Sequence, residues 1–221
     1  MKKLSMMMAG LLAAAALSAE EYKSDVFSAE IAPNGVIKNI TGCGELLIRQ
    51  TFLGGNSNPG KDNPKLDGRF LQVADYQNQA KFVREGDTLT VTVQGVMKQL
   101  REQNPLAVEY QQKVVFTPGV ITFHYEVLTK DEMLSDFVLF QSLSEVPLSM
   151  GGRGFLSVSR EDVEKTGIIA KDYKAEDKVK YPASKKFAIA TTKGVFTVAM
   201  DNGWISFSDS RSWGGDHFRL D

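Results

Sequence analysis

The sequence predicts an all-β fold, a large and mostly antiparallel two-sheet β-sandwich with few helices. Apolar and polar residues alternate with a period of two through most of the chain after residue 24, which is the pattern of half-buried strands. Short turns with glycine, proline or asparagine separate the alternating segments. The segments differ in length and long loops interrupt them, which favours two packed sheets over a closed barrel.

Residues 1–19 have the organisation of a secretory signal peptide. Lys2 and Lys3 form a basic start, an apolar run follows over residues 6–17, and Ser18 and Ala19 are small. The run is too short for a comfortable transmembrane helix. Cleavage after residue 19, cleavage after residue 16 and an uncleaved anchor remain open. We expect an exported protein, periplasmic or extracellular, whose residues 20–221 form a single β-sandwich domain.

Composition restricts the partners and cofactors that we expect. The 221 residues include 26 basic and 27 acidic ones, and loss of residues 1–19 removes two lysines, which leaves 24 basic residues and a formal charge of about −3. No basic stripe indicates nucleic-acid binding, and no later run of about 18 apolar residues indicates a membrane span. Cys43 is the only cysteine and there are two histidines, so we expect no disulfide, no metal site and no cofactor.

The clearest strands lie between residues 87 and 128. Residues 87–95 alternate strictly, and residues 107–116 and 120–128 repeat the pattern. Pro118 and Gly119 form the two-residue loop of a predicted hairpin. That loop would place Lys113 opposite His124 and Gln111 opposite Glu126, with apolar pairs on the other face.

The rest of the chain is predicted as further strands and two long loops. Strands are expected over residues 135–143, 187–191, 195–200 and 204–207, the last two joined by an Asn-Gly hairpin turn. Residues 160–166 are expected to form one or two helical turns. The loops cover residues 54–66 and 171–184, and Cys43 is expected to be a small buried residue at a turn.

The chain resembles galactose-mutarotase-like supersandwich domains at its two ends. Near the N-terminus, Gly-Val-Ile at residues 35–37 and Gly-Glu-Leu-Leu at residues 44–47 are similar to the early hairpin of that superfamily. Residues 119–143 are similar to its long central strands, and residues 208–220 to a late loop that leads into a strand. The resemblance implies a carbohydrate-handling β-sandwich.

The same superfamily includes sugar epimerases, domains of polysaccharide lyases and glycoside hydrolases, and domains without catalysis. Its mutarotase activity uses two histidines and a carboxylate around the sugar ring. Here His124 is isolated in the sequence and His217 follows about 90 residues later. The departure from the family pattern favours binding over epimerase activity.

One candidate site is the polar side of the predicted hairpin sheet. Its members alternate with the apolar residues of the same strands: Thr90, Thr92, Gln94, Glu109, Gln111, Lys113, Thr122, His124 and Glu126. Lys113 is a candidate ligand-binding residue, and His124 with Glu126 is a candidate acid–base pair. The alternative is an ordinary solvated sheet face.

A second candidate site is the C-terminal loop, where five polar or aromatic residues fall close together: Asp209, Arg211, Trp213, Asp216 and His217. A tryptophan beside charged groups suits a sugar ring, and His217 is a further candidate base. Alternatively, Trp213 plugs the end of the sandwich and Arg211 pairs with an acid. Arg153, in a predicted glycine turn, is a candidate contact for a uronate carboxylate.

Three hypotheses of function follow. The first is an exported, non-catalytic domain that binds a polysaccharide or oligosaccharide, which requires exposed aromatic residues beside polar groups. The second is a polysaccharide lyase, glycosidase-associated or epimerase-like enzyme, which requires a histidine, a carboxylate and an arginine in one pocket. The third is a structural or interaction module of the cell envelope, which predicts that Trp204 and Trp213 are both buried.

Overall fold

The computed structural model describes residues 19–57, 68–75, 79–98, 107–128, 138–173, 181 and 183–221. Almost all of the predicted signal peptide lies outside these residues, as do most of the two predicted long loops and the first three residues of the strand predicted over 135–143.

The described residues form sixteen strands and three short 3-10 helices. The strands are β1 (Glu20–Lys23), β2 (Phe27–Ile31), β3 (Ile37–Gly42), β4 (Glu45–Ser57), β5 (Gly68–Leu71), β6 (Lys81–Glu85), β7 (Thr88–Lys98), β8 (Ala107–Thr117), β9 (Val120–Leu128), β10 (Val138–Pro147), β11 (Gly154–Val158), β12 (Glu164–Ile168), β13 (Lys186–Ala190), β14 (Val195–Ala199), β15 (Phe207–Asp209) and β16 (His217–Leu220). The 3-10 helices are Gln72–Ala74, Leu148–Met150 and Ser210–Trp213.

The strands form three antiparallel sheets, which confirms the all-β prediction. The large sheet has eight strands in the order β1-β2-β3-β4-β10-β16-β15, with β5 paired to β4. Two four-stranded sheets have the orders β6-β7-β8-β9 and β12-β11-β13-β14. Among the described residues no helix is long and apolar enough to cross a bilayer.

One hydrophobic cluster contains buried residues of all three sheets, so the large sheet packs against both small ones. Tyr22 of the large sheet stacks on Phe116 of β8 with ring centroids 5.1 Å apart. Phe207 of the large sheet stacks on Phe187 of β13 at 4.7 Å. The result is a β-sandwich in which one broad layer faces two smaller sheets.

The predicted hairpin register is confirmed. Lys113 pairs with His124 and Gln111 with Glu126, while Phe116 pairs with Ile121 on the opposite face. The strand predicted over residues 135–143 is confirmed from residue 138 onward as β10, which lies between β4 and β16.

The N-terminal pattern forms two consecutive hairpins, β2–β3 and β3–β4. Cys43 and Gly44 connect β3 to β4 with φ values of 53° and 80°, the backbone of a turn with positive φ at both central positions. Cys43 therefore lies at a turn as predicted, but it is half-exposed rather than buried.

The helical turns predicted over residues 160–166 are wrong. Ser159 and Asp162 form a turn with a backbone hydrogen bond of 3.2 Å, and the following residues form β12, which pairs with β11. An isolated helix of this length lacks enough internal hydrogen bonds to be stable. An edge strand instead uses the open backbone groups of β11.

The Asn-Gly hairpin predicted at residues 202–203 is also wrong. Ile205 forms an isolated antiparallel bridge with Ser184, not with β14. Ile205 and Phe207 are 2% and 3% exposed. This segment packs into the hydrophobic cluster shared by the three sheets and does not pair with β14. Arg160 holds the displaced turn by donating from Nη2 to the Gly203 carbonyl at 2.6 Å.

The start of the predicted loop over residues 54–66 belongs to β4, which extends to Ser57 between β5 and β10. Glycine at residue 54 lets the strands pack closely, because a Cβ there would lie 2.5 Å from Leu143 Cδ1 and the leucine side chain would have to move. A residue type that is typical of loops therefore occupies the interior of a strand.

Candidate functional site

The polar side chains of β6–β9 form rows that cross the sheet. The register aligns Lys81 of β6, Thr92 of β7, Lys113 of β8 and His124 of β9. Opposite residues of antiparallel strands share a face, so these four side chains lie on one side of the sheet. We call this row the basic row.

The neighbouring row consists of Gln94, Gln111 and Glu126. We refer to the two rows, together with Thr90, Thr122 and Glu109, as the polar face of the β6–β9 sheet. The other face of the same strands is in the core, where Leu89, Val91 and Val93 are at most 2% exposed. Alternation along each strand therefore separates a buried face from a chemically functional one.

An open depression of about 1030 Å³ lies on this face. Its lining includes all seven residues of the two rows together with Thr122, and the remaining lining residues are Gln79, Val93, Gln112 and Val115. The volume is that of sites that hold drug-sized or larger ligands. Hydroxyl, amide, ammonium, imidazole and carboxylate groups all reach it, which gives both donors and acceptors to a polar ligand.

His124 and Glu126 contact each other on this face. His124 Nε2 lies 3.2 Å from Glu126 Oε1, and the two side chains are 66% and 59% exposed. The pair predicted from the sequence is therefore formed. Its exposure keeps both groups hydrated, and an ion pair between exposed side chains contributes little to stability.

A smaller depression of about 260 Å³ adjoins the first and is lined in part by Gly95, Glu109 and Tyr110. Beneath it the Tyr110 hydroxyl donates to Asp75 Oδ2 at 3.3 Å. Burial, and next the Asp75 charge, raise the pKa of the Tyr110 phenol far above its ordinary value. Tyr110 is thus a neutral, structural phenol rather than a general base.

Asp209 and Arg211 of the C-terminal loop form an internal ion pair. Arg211 donates from Nε to Asp209 Oδ1 at 2.9 Å and from Nη2 to Oδ2 at 2.6 Å, and both side chains are 16% exposed. Arg211 also donates to the carbonyls of Ala170 and Lys171. These contacts attach the loop at residues 170–171 to the C-terminal segment and favour the structural role of Arg211.

Trp213 does not plug the end of the sandwich. It is 65% exposed, and the Arg219 guanidinium carbon lies 5.3 Å from its ring centroid, within the range of a cation–π contact. Trp204 is 55% exposed. The buried tryptophans that a purely structural module predicts are therefore not observed.

Asp216 and His217 contact Arg49 of β4. Arg49 Nη1 and His217 Nδ1 lie 2.7 Å and 3.3 Å from the same oxygen, Asp216 Oδ1. The Arg49 hydrogen bond is the main reason that the pKa of the Asp216 carboxyl is lowered. This cluster joins a histidine, a carboxylate and an arginine, but none of the three is in the lining of the two depressions described above.

Arg153 is engaged by the protein itself. Its Nη2 lies 3.0 Å from Glu45 Oε2 and 3.2 Å from the Thr192 hydroxyl. The turn presents Arg153 as predicted, but to Glu45 rather than to open solvent. Among the candidate residues, the structure therefore brings together Lys113, His124 and Glu126 on the polar face.

Sequence reasoning missed Lys81 and Arg49. The five residues of β6 are Lys-Phe-Val-Arg-Glu, and their weak alternation obscured a strand. Arg49 contacts a residue 167 positions away, a distance in sequence that no local pattern spans. Only the pairing of β6 with β7 could have identified Lys81 as a member of the site.

In the part of the chain that the structure describes, no group of three or more metal-ligating side chains is close enough to hold a metal ion. Compared with models of known protein families and with curated proteins, this chain matches none.

Proposed function

We propose that this protein is an exported, non-catalytic domain that binds a polysaccharide or oligosaccharide on the polar face of the β6–β9 sheet. The single observation that carries the proposal is the open depression of about 1030 Å³ lined by two rows of polar side chains. Adjacent strands present these groups at intervals of about 4.8 Å. Such a lattice of amide, hydroxyl and charged groups suits a ligand with many hydroxyls.

The β-sandwich is compatible with the galactose-mutarotase-like supersandwich that the sequence resembles, and this supports carbohydrate as the class of ligand. In the described lining of the depression no residue is aromatic. Binding on this face would therefore rest on hydrogen bonds and charge. The exposed Trp213 offers a separate surface for ring stacking.

The test is a glycan array followed by titration of the mature chain, residues 20–221, with any polysaccharide that binds. We expect Gln94→Ala/Gln111→Ala to weaken binding about tenfold, since each amide supplies one or two hydrogen bonds. The control is Thr197→Ala, which removes an exposed polar group from β14. Absence of binding to every glycan would overturn the proposal.

Two outcomes would relocate or change the proposed function. If Trp213→Ala loses binding while Gln94→Ala/Gln111→Ala binds as the wild type does, the site is at the C-terminal loop. Appearance of a product during incubation would favour a second candidate function, a lyase or epimerase. The 3.2 Å contact between His124 and Glu126 favours it, since such a pair can transfer protons. In that case His124→Ala should abolish turnover.

A further inference from the structure

The basic row contains two lysines that no carboxylate among the described residues neutralises. Arg49, Arg153 and Arg211 each pair with a carboxylate. By contrast, the ion pairs between described residues include neither Lys81 nor Lys113. Both lysines line the large depression, so their charges are directed to whatever occupies it.

The lysines and the carboxylates of this sheet face lie in different rows. Lys81, Lys113 and the ionisable His124 share one row with Thr92. The carboxylates of the same face lie in other rows. Glu126 is in the row next to the basic row and Glu109 is one row further in the same direction, whereas Glu85 lies on the opposite side of the basic row. Glu126 reaches His124 at the β9 end of the basic row, so an anion on this row meets cations first at Lys81 and Lys113.

From these observations we propose that the ligand is an acidic glycan whose negative groups lie along the basic row. This inference rests on the proposed function and specifies its ligand. Lys81 and Lys113 are two strands apart, so their backbones are separated by about 10 Å. That span fits negative groups on alternate rings of an extended sugar chain, with Thr92 between the lysines as a hydrogen-bond partner for the intervening ring.

The side chains that line the depression favour a glycan over a nucleic acid. The chain carries 26 basic and 27 acidic residues, so recognition of an anionic ligand depends on the local charges of the basic row and not on the net charge. The described lining of the depression lacks the aromatic platforms on which bases stack. A carboxylate and a sulfate share the chemistry that lysines recognise, and the choice of probes distinguishes them.

The experiment titrates the mature chain with matched pairs of polymers. Polygalacturonate is compared with its carboxyl-reduced form, and dextran sulfate with dextran. We expect one charged polymer to bind at least about tenfold more tightly than its neutral partner, and added salt to reduce the difference. Preference for polygalacturonate would identify carboxylate, and preference for dextran sulfate would identify sulfate, as the recognised group.

The variant Lys81→Gln/Lys113→Gln should bind the charged polymer about tenfold more weakly, because the loss of each exposed lysine should reduce the affinity about threefold. The control Lys165→Gln/Lys186→Gln removes two exposed charges from β12 and β13 and should bind as the wild type does. Both double variants replace exposed residues, and unchanged circular dichroism and thermal unfolding would show that they fold.

The outcomes separate this inference from the proposed function. Equal affinity for charged and neutral polymers, with loss in the glutamine variant of the neighbouring row, would overturn the acidic ligand and leave glycan binding in place. No binding to any polymer would overturn both. Equally tight binding of a single-stranded oligonucleotide would show general polyanion binding and overturn the inference.

Discussion

Gln112 occupies a position on the core face of β8 where the alternation alone favours an apolar residue. It is 2% exposed. Its Nε2 donates to the Gly35 carbonyl at 3.0 Å, and its Oε1 accepts from Gln72 Nε2. Gln72 Oε1 in turn accepts from the Leu53 N–H at 2.8 Å. From β8 and from the 3-10 helix Gln72–Ala74, these amides satisfy buried backbone groups of the β2–β3 connection and of β4.

At the residue scale we predict that Gln112→Leu lowers the free energy of unfolding by about 1–3 kcal/mol, because it leaves the Gly35 carbonyl without its side-chain donor inside the core. Urea denaturation measures the change. Gln111→Leu is the matched control, since the same substitution one residue away falls on the exposed polar face and should change stability by less than about 0.5 kcal/mol. Equal losses in the two variants would contradict the buried network.

The β8–β9 hairpin is closed by the two-residue turn Pro118–Gly119. Pro118 fixes φ near −65°, and Gly119 has φ +91°, the combination of a type II turn. A Cβ on Gly119 would have no atom within 4 Å. Replacing Gly119 would therefore cause no steric clash, and its only energetic cost would be that of holding a residue with a Cβ at positive φ. The turn determines which residues share the polar face, since a slip of one residue would invert β9.

At the scale of the element we predict that Gly119→Ala destabilises the protein by about 1 kcal/mol, the conformational penalty of a positive φ. Thermal unfolding measures it. The control is Gly154→Ala in β11, where a Cβ would meet its nearest neighbours at 3.9 and 4.0 Å and stability should stay equal or rise slightly. A wild-type melting curve for Gly119→Ala would show that the turn adopts another conformation.

Glu45 connects the large sheet to the β11–β14 sheet. Its Oε1 accepts from the Thr192 N–H at 2.6 Å and from the Thr192 hydroxyl at 3.0 Å, while Arg153 lies 3.0 Å from Oε2. The pKa of the Glu45 carboxyl is lowered, chiefly by the Thr192 N–H, with the Thr192 hydroxyl and Arg153 in support and burial in opposition. The ionised form is thus stabilised by contacts that exist only in the folded protein.

At the scale of the whole molecule we predict that Glu45→Gln is less stable than the wild type by about 0.5–1 kcal/mol at neutral pH. Because the pKa of Glu45 is lower in the folded protein, its carboxylate contributes its full stabilisation at pH values above the ordinary pKa of 4.5. This contribution to the free energy of unfolding is lost as the pH falls through the pKa of the folded protein. The difference in the free energy of unfolding between wild type and variant should therefore disappear at acid pH.

Urea unfolding at several pH values measures this dependence. The matched control is Glu164→Gln on the exposed edge strand β12, which should differ from the wild type by less than about 0.5 kcal/mol at every pH. A gap between wild type and Glu45→Gln that persists unchanged in acid would show that the carboxylate charge is not what joins the two sheets.

Much of the fold was predictable because its signals are local. Alternation along the chain determined the strands over residues 107–116 and 120–128, and the two-residue loop between them determined their register. Both are properties of neighbouring residues, so a single sequence contains them. The grouping of Lys113, His124 and Glu126 on one face followed from the same two facts.

The sequence by itself therefore determined the fold class, the β8–β9 register and most of the polar face. Tertiary structure alone decided which polar groups stay free. Arg153 meets Glu45 across 108 residues and Arg211 meets carbonyls about 40 residues away, whereas Lys81 enters the site through the pairing of β6 with β7. Ion pairs and strand order depend on the packing of distant segments, and the energy of that packing has no local signature in the chain.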